Sequence, residues 1–257
     1  MTSLILLTIF VPLLAALPGG VGGGWLLLAV APLTLYPAFQ RKVRAGDTVG
    51  AWQLGVLWAL LLSAGVILLT IWWPAAARAG IVHGEPYRQE MFGWIATGEA
   101  PENDWHRFLP VHLLHFAVFI VLTWVSGGYL GLVLGTFLVT YMSYFVGCYA
   151  VASGHPWLGS VAAWVPWSVI RVLAFVLFGA LFARPLLVRK VWPFEKNAPL
   201  NDYRLMGIAL SGIVADLVIK YLGAPAYGLF LRQMARGAAA AVAGLSALYS
   251  AAPRMFS

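Results

Sequence analysis

Charged residues are scarce in this sequence. Asp, Glu, Lys and Arg make up only 10% of its 257 residues, whereas 61% are hydrophobic, and the mean hydropathy is +0.85. A soluble globule of this length needs more polar residues to cover its surface. The composition therefore excludes a soluble domain and indicates an integral membrane protein.

Cysteine and acidic residues are also few. Cys148 is the only cysteine, so no internal disulfide can form, and its place inside an apolar run favours a buried, inert thiol. Nine Asp and Glu stand against 16 Lys and Arg, which gives a formal net charge of +7. The basic residues lie between apolar runs, where the positive-inside rule accounts for them. We therefore expect no nucleic-acid partner.

Long apolar runs are what the sequence has in abundance. Each helical crossing of a bilayer needs about 20 predominantly apolar residues. The sequence therefore predicts an all-α, polytopic transmembrane bundle of about six to seven spans, in a single membrane domain over residues 1–257. The predicted spans are 3–18, 25–40, 50–73, 109–126, 129–152, 160–187 and 206–222, followed by an amphipathic tail at 223–257.

The basic residues predict the orientation of the bundle. Arg41, Lys42 and Arg44 follow the second predicted span, and five more basic residues lie in the segment 184–204. Both segments should face the cytoplasm in a bacterial-type cytoplasmic membrane. Alternation then places the N-terminus inside and the loop 74–108 outside. The first apolar run has no basic residue before it, so we expect it to be a retained span and not a cleaved signal peptide.

The outer loop contains a predicted amphipathic helix. Pro86 suits the first helical turn, and Gly98 suits the residue that follows the last turn. Four apolar residues recur between them at helical spacing: Tyr87, Met91, Trp94 and Ile95. We expect this apolar face to lie in the outer interface of the membrane or against the bundle.

Histidines gather on the predicted outer side. The five are His83, His106, His112, His115 and His155. His112 and His115 are three residues apart and share one helix face, about one to two turns below the outer surface. His155 lies in a turn that the fold is expected to bring alongside them. The alternative to a functional site is that these imidazoles form hydrogen bonds only with lipid headgroups, water or backbone.

Two kinds of chemistry suit these histidines. Neutral imidazole is a general base near neutral pH, so His112 and His115 with Glu85, Arg88 and Glu90 from the outer loop are the candidate catalytic residues. Imidazole also binds metals, and His112 or His115 together with His155 is a candidate set for a divalent metal or a b-type haem. The sequence leaves both options open.

Three ionisable residues fall inside the predicted spans. They are Arg171, Asp216 and Lys220. A lone charge at that depth costs roughly 2.5 to 3.5 kcal/mol on insertion scales, so we expect pairing. Asp216 and Lys220 are four residues apart on one helix, and Arg171 is expected to reach Asp216 from the preceding span. The cluster is either a clamp between helices or a relay for protons or substrate.

The fifth predicted span carries small and polar residues. Gly131 and Gly135 are four residues apart, a spacing that lets helix backbones approach closely within one chain or in an oligomer. Tyr141, Ser143 and Tyr144 follow on the same span and are expected to line a polar interior.

Three short motifs resemble those of a known family. They are "EPYR" at 85–88, "FLPVH" at 108–112 and "HPWLG" at 155–159. Their order is loosely similar to the motif series of the CAAX-protease and bacteriocin-processing (CPBP) intramembrane proteases, in which a glutamate activates water. This chain has no adjacent glutamate pair before Arg88, and Gly159 stands where that family has Asn or Asp.

Three functions are consistent with these patterns. The first is an intramembrane or interfacial hydrolase that acts on a lipid or a membrane-embedded peptide. The second is a metal-binding or haem-binding subunit of a larger complex, and the third is a small transporter that uses the charges at 171, 216 and 220. Membrane lipid is the expected partner in every case, with partner subunits or further copies of the chain as additional candidates.

Overall fold

The computed structural model describes residues 6–17, 21–98, 104–188 and 200–251, without the side chains of 21, 200 and 237–251. All regular structure in these residues is helical. Two short 3-10 helices, Leu7–Ile9 and Val11–Ala16, come first. The α-helices are α1 (Val21–Arg44), α2 (Thr48–Trp72), α3 (Pro74–Gly80), α4 (Gly84–Thr97), α5 (Trp105–Ser126), α6 (Tyr129–Ala152), α7 (Pro156–Ala163), α8 (Pro166–Phe182), α9 (Arg184–Val188) and α10 (Leu200–Ala251).

Six helical segments in this part of the chain are long and apolar enough to cross a membrane. They are Gly22–Arg44, Thr48–Trp72, Trp105–Ser126, Tyr129–Ala152, Pro166–Val188 and Asn201–Arg236. The predicted all-α class and polytopic bundle are confirmed. The structure carries no membrane, so the predicted orientation stays a prediction.

The first predicted span, 3–18, differs in the structure. Its described part forms the two 3-10 helices, and ten residues at a rise of about 2 Å fall short of a hydrocarbon core of ~30 Å. The backbone of these 3-10 helices packs directly against glycines of α2 and α3. A Cβ atom on Gly65 of α2 would lie 2.2 Å from the Ile9 carbonyl oxygen, and one on Gly80 of α3 would lie 2.0 Å from the Ala15 carbonyl oxygen.

The predicted span 160–187 is divided in the structure. Residues up to Ala163 belong to α7, and the spanning helix begins at Pro166. Proline lacks a backbone N–H and disfavours a helical residue before it, and Val165 is extended with φ −61° and ψ 137°. The hydropathy pattern does not show this break, because the helices on both sides of it are hydrophobic.

The last predicted span and the tail are continuous. The helix α10 runs from Leu200 through Asp216 and Pro225 to Ala251, so the boundary predicted at 223 does not end the helix. The side chains of the tail from 237 onward lie outside the described residues, and its amphipathic character stays a prediction.

The predicted amphipathic helix of the outer loop is present as α4. Met91, Trp94 and Ile95 are buried, and they belong to one hydrophobic cluster with residues of α6, α7, α8 and α10. We expect its apolar face either in the outer interface of the membrane or against the bundle, and in the structure this face packs against the bundle. The helix therefore forms a wall of the bundle on the side where α5 begins.

Glycines 131 and 135 have different surroundings on α6. A Cβ atom on Gly131 would lie 2.1 Å from Oγ1 of the buried Thr123 on α5, whereas one on Gly135 meets nothing within 4 Å. Gly131 alone of these two is therefore required for the close approach of α5 and α6.

This difference gives a matched pair of variants. Gly131→Ala should lower stability by about 1–3 kcal/mol, because overpacking forces the neighbouring helices apart. Gly135→Ala should be neutral or slightly stabilising, because alanine is the better helix former by up to about 1 kcal/mol. Thermal unfolding of both proteins in the same detergent measures the difference, and equal losses would contradict the assigned contact.

Candidate functional site

A polar chamber of about 150 Å³ lies between α4, α5, α6 and α8. Its lining side chains include His83, Glu90, His112, His115, Ser168 and Arg171. The structure thus brings together two predicted catalytic histidines, one predicted carboxylate and the arginine of the intramembrane charge cluster. We call this space the polar chamber.

Two of these residues stand on one face of α5. His112 and His115 lie about 10 and 15 Å along the axis from the first residue of that helix, at 1.5 Å per residue. Nδ1 of His112 is 2.8 Å from the Phe108 carbonyl oxygen. Since a carbonyl only accepts, Nδ1 donates, and Nε2 of the neutral ring is an acceptor. Within the described residues, this enclosed Nε2 has no hydrogen-bond partner.

Arg171 reaches the chamber from α8 and is held by α10. Its Nε and one Nη donate to the two carboxylate oxygens of Asp216, each at 2.9 Å. The Asp216 side chain is only 2% exposed. The ion pair expected across the bundle is therefore present, in the bidentate geometry that fixes a guanidinium plane.

Lys220 lies one turn beyond Asp216 and is fully buried. Its Nζ is 4.4 Å from the centroid of the Phe108 ring, which is a cation–π distance. Phe108 also supplies the carbonyl that orients His112. Phe108 thus connects the first turns of α5 to Lys220 of α10 and to His112.

A second cavity, mainly apolar, adjoins the polar chamber. It is lined by His112, His115 and Arg171 at one end and extends past Gly135 to Gly128, between α1, α2, α5, α6 and α8. Its volume is about 80 Å³. We call this space the apolar slot. Shared lining residues make the chamber and the slot neighbouring parts of one site.

Glu85 and Arg88 form a separate cluster on α4. Arg88 Nε donates to Glu85 Oε2 at 2.9 Å, and the Tyr144 hydroxyl of α6 donates to the same oxygen at 3.1 Å. An Nη atom of Arg78 on α3 lies 3.6 Å from Glu85 Oε1. Neither Glu85 nor Arg88 is among the described residues that line the polar chamber.

The electrostatics of Glu85 favour a structural role over a catalytic one. The hydrogen bond from Arg88, opposed by desolvation and reinforced by Tyr144 and Gln89, lowers the pKa of the Glu85 carboxyl to about 2. A carboxylate that binds protons this weakly is a poor general base. Its contacts join α3, α4 and α6, and they hold the wall of the chamber that carries Glu90.

The remaining histidines lie elsewhere. His106 is exposed in the first turn of α5, and His155 is exposed at the N-cap of α7. His83, the N-cap of α4, has a left-handed φ of 62° and lies on the chamber wall, with its ring centroid 5.4 Å from that of Tyr141. Within the described ranges, no three His, Cys, Asp or Glu side chains are placed to hold a metal ion.

The sequence patterns above do not single out three residues that the structure shows in or near the site. Ser168 lines the chamber, and its position three residues before Arg171 was a usable signal because both share a helix face. The ion pair between Arg184 and Asp202 is not evident from those patterns either, although both side chains are nearly buried, at 11% and 6% exposure. Only the three-dimensional fold places these two side chains together.

Comparison with protein-family models, with curated proteins and with solved structures finds no match to this chain. The likeness to CPBP proteases therefore carries no family assignment. The fold defines a polytopic α-helical membrane protein. Its function has to be argued from the polar chamber and the apolar slot.

The Arg171–Asp216 pair gives the first prediction for this site. Asp216→Leu leaves the Arg171 guanidinium, whose side chain is 20% exposed, without its counter-ion, and should cost up to about 3–5 kcal/mol. The double variant Arg171→Leu with Asp216→Leu should recover most of this loss, because both charges are removed together. Thermal unfolding in detergent measures each protein. A double variant as unstable as Asp216→Leu would contradict a paired, desolvated contact.

Glu85 gives a prediction on pH. Its pKa falls from 4.5 to about 2 on folding, so its stabilisation is complete above about 4.5 and is lost as the pH falls through about 2. Glu85→Gln should lower stability at pH 7 by at most about 3 kcal/mol, and the difference from the wild type should shrink toward pH 2. Tyr144→Phe, which removes one neutral donor, should cost about 1 kcal/mol. A pH-independent loss in Glu85→Gln would contradict the assigned ion pair.

Proposed function

We propose that this protein is an intramembrane hydrolase that acts on a lipid or a membrane-embedded peptide. The observation that carries the proposal is the meeting of Glu90, His115 and Arg171, from three different helices, in one chamber. A carboxylate, an imidazole and a fixed guanidinium are the groups that activate water and stabilise the resulting oxyanion. The adjoining apolar slot supplies the hydrophobic surface that a membrane molecule needs beside them.

The roles follow from the surroundings of each side chain. His115 accepts a proton from water while the water oxygen attacks the carbonyl carbon of an ester or amide. Glu90, which lines the same chamber, offsets the positive charge that His115 gains. The carbonyl oxygen, now negative, is bound by Arg171. When the intermediate collapses, the proton on His115 passes to the leaving oxygen or nitrogen, so that one water yields an acid and an alcohol or amine.

His112 and Asp216 are positioning residues in this scheme. Nε2 of His112 is enclosed, and its ring is fixed by the Phe108 carbonyl, so in this scheme it supports the chamber wall from the same helix as His115. Asp216 fixes the guanidinium plane of Arg171 by two hydrogen bonds. Preorganised groups of this kind stabilise a developing charge without rearranging during the reaction.

The test is hydrolysis in a native lipid extract. The purified protein is reconstituted into liposomes of that extract, supplemented with membrane peptides, and released products are followed by mass spectrometry. His115→Ala should reduce turnover by about a hundredfold or more, the usual contribution of a general base. His106→Ala is the matched control, because it removes an exposed histidine from the same helix, and its turnover should equal that of the wild type.

Two results would overturn the proposal. One is a wild type whose turnover does not exceed that of His115→Ala. The other is stoichiometric metal or a haem absorption band that is lost in the double variant His112→Ala with His115→Ala, which would favour the metal-binding or haem-binding subunit instead. Elemental analysis and a visible spectrum of the same preparations decide this second point.

A further inference from the structure

The apolar slot has the length of one bilayer leaflet. It follows α5 from His112 to Thr123 and α6 from Met142 back to Gly128, which is about 15–20 Å at 1.5 Å per residue. Half of a hydrocarbon core of ~30 Å is about 15 Å. An acyl chain of a membrane lipid has about this length.

One of the glycines that line the slot keeps part of it open. Gly55, Gly135 and Gly179 line it from α2, α6 and α8. A Cβ atom on Gly135 would meet nothing within 4 Å, so a larger side chain at this position extends into open space. The slot is therefore narrow and long, and its lining is mainly hydrophobic.

The polarity of the slot changes along its length. The end shared with the polar chamber has His112, His115 and Arg171, whereas Phe39 and Gly128 lie at the other end. A peptide in the apolar part would leave its backbone N–H and C=O groups without hydrogen bonds, at a cost of several kcal/mol for each group. A hydrocarbon chain has no such groups, and its head would lie among the polar side chains.

We infer that the substrate is an acyl lipid whose single long chain enters the apolar slot and whose head, with the ester or amide carbonyl, lies in the polar chamber. This inference rests on the proposed function and narrows its substrate from a lipid or peptide to an acyl lipid. The chain places the carbonyl beside His115 and Arg171, and the length of the slot selects the length of the chain.

Photoaffinity labelling tests the slot without requiring hydrolysis. The full-length protein in nanodiscs of synthetic phosphatidylcholine is exposed to a long-chain fatty acid that carries a diazirine on its chain, and labelled peptides are identified by mass spectrometry. Labelling of slot residues on α5, α6 and α8 should be saturable and should be displaced by unlabelled long-chain fatty acid. A short-chain fatty acid should displace it much less.

Two leucine variants complete the test. Gly135→Leu should reduce the saturable labelling by about tenfold or more. Gly207→Leu is the matched control, because a Cβ atom there also meets nothing within 4 Å and the residue is exposed on α10; its labelling should equal that of the wild type. Should Gly135→Leu fail to fold, Gly135→Val takes its place.

The outcomes separate this inference from the proposed function. Saturable labelling of the slot in a protein that hydrolyses nothing would overturn the hydrolase and leave the acyl-chain site standing. Hydrolysis of a membrane peptide by a protein without saturable labelling would overturn the acyl-chain site alone. Equal labelling of Gly135→Leu and the wild type would also overturn it.

Discussion

The buried ion pair between Arg171 and Asp216 is the contact on which the site depends. Two charges inside a membrane are stable only together, and their two hydrogen bonds of 2.9 Å join α8 to α10 in one register. A second pair, Arg184 with Asp202, joins the same region of the chain to α10 about three to four turns away. With the guanidinium fixed in this way, α5 and α4 have only to supply histidines and a carboxylate to the same space.

The polar chamber and the apolar slot follow from the helices around that pair. The helix α4 closes the chamber because its apolar face packs on the bundle, and the Glu85 cluster holds it there through Tyr144 and Arg78. The slot lies where α2, α6 and α8 face one another, and it is open at Gly135, where a Cβ atom would meet nothing within 4 Å. The ion pair, the packing of α4 and the open space at Gly135 thus give one site with a polar end and an apolar end.

The sequence predicts the fold class, the α4 helix and the Arg171–Asp216 pair, because each rests on a local pattern or on the high cost of a lone charge in a membrane. It does not predict the break at Pro166, because the residues on both sides of it are equally apolar. It also groups Glu85 with the histidines because they are near in sequence, whereas the structure joins Glu85 to Arg88 and leaves Glu90 in the chamber. Such a choice between two carboxylates on one helix depends on which side chains the other helices bring opposite them.

Native mass spectrometry of the protein released from its own membrane tests the central claim most directly, because that claim joins the ion pair to ligand binding. The wild type should retain one long-chain amphiphile per chain. The double variant Arg171→Leu with Asp216→Leu, which is expected to keep the fold and removes the guanidinium from the chamber, should lose it. Retention of the same amphiphile by the double variant, or a wild type that retains none, would contradict the account.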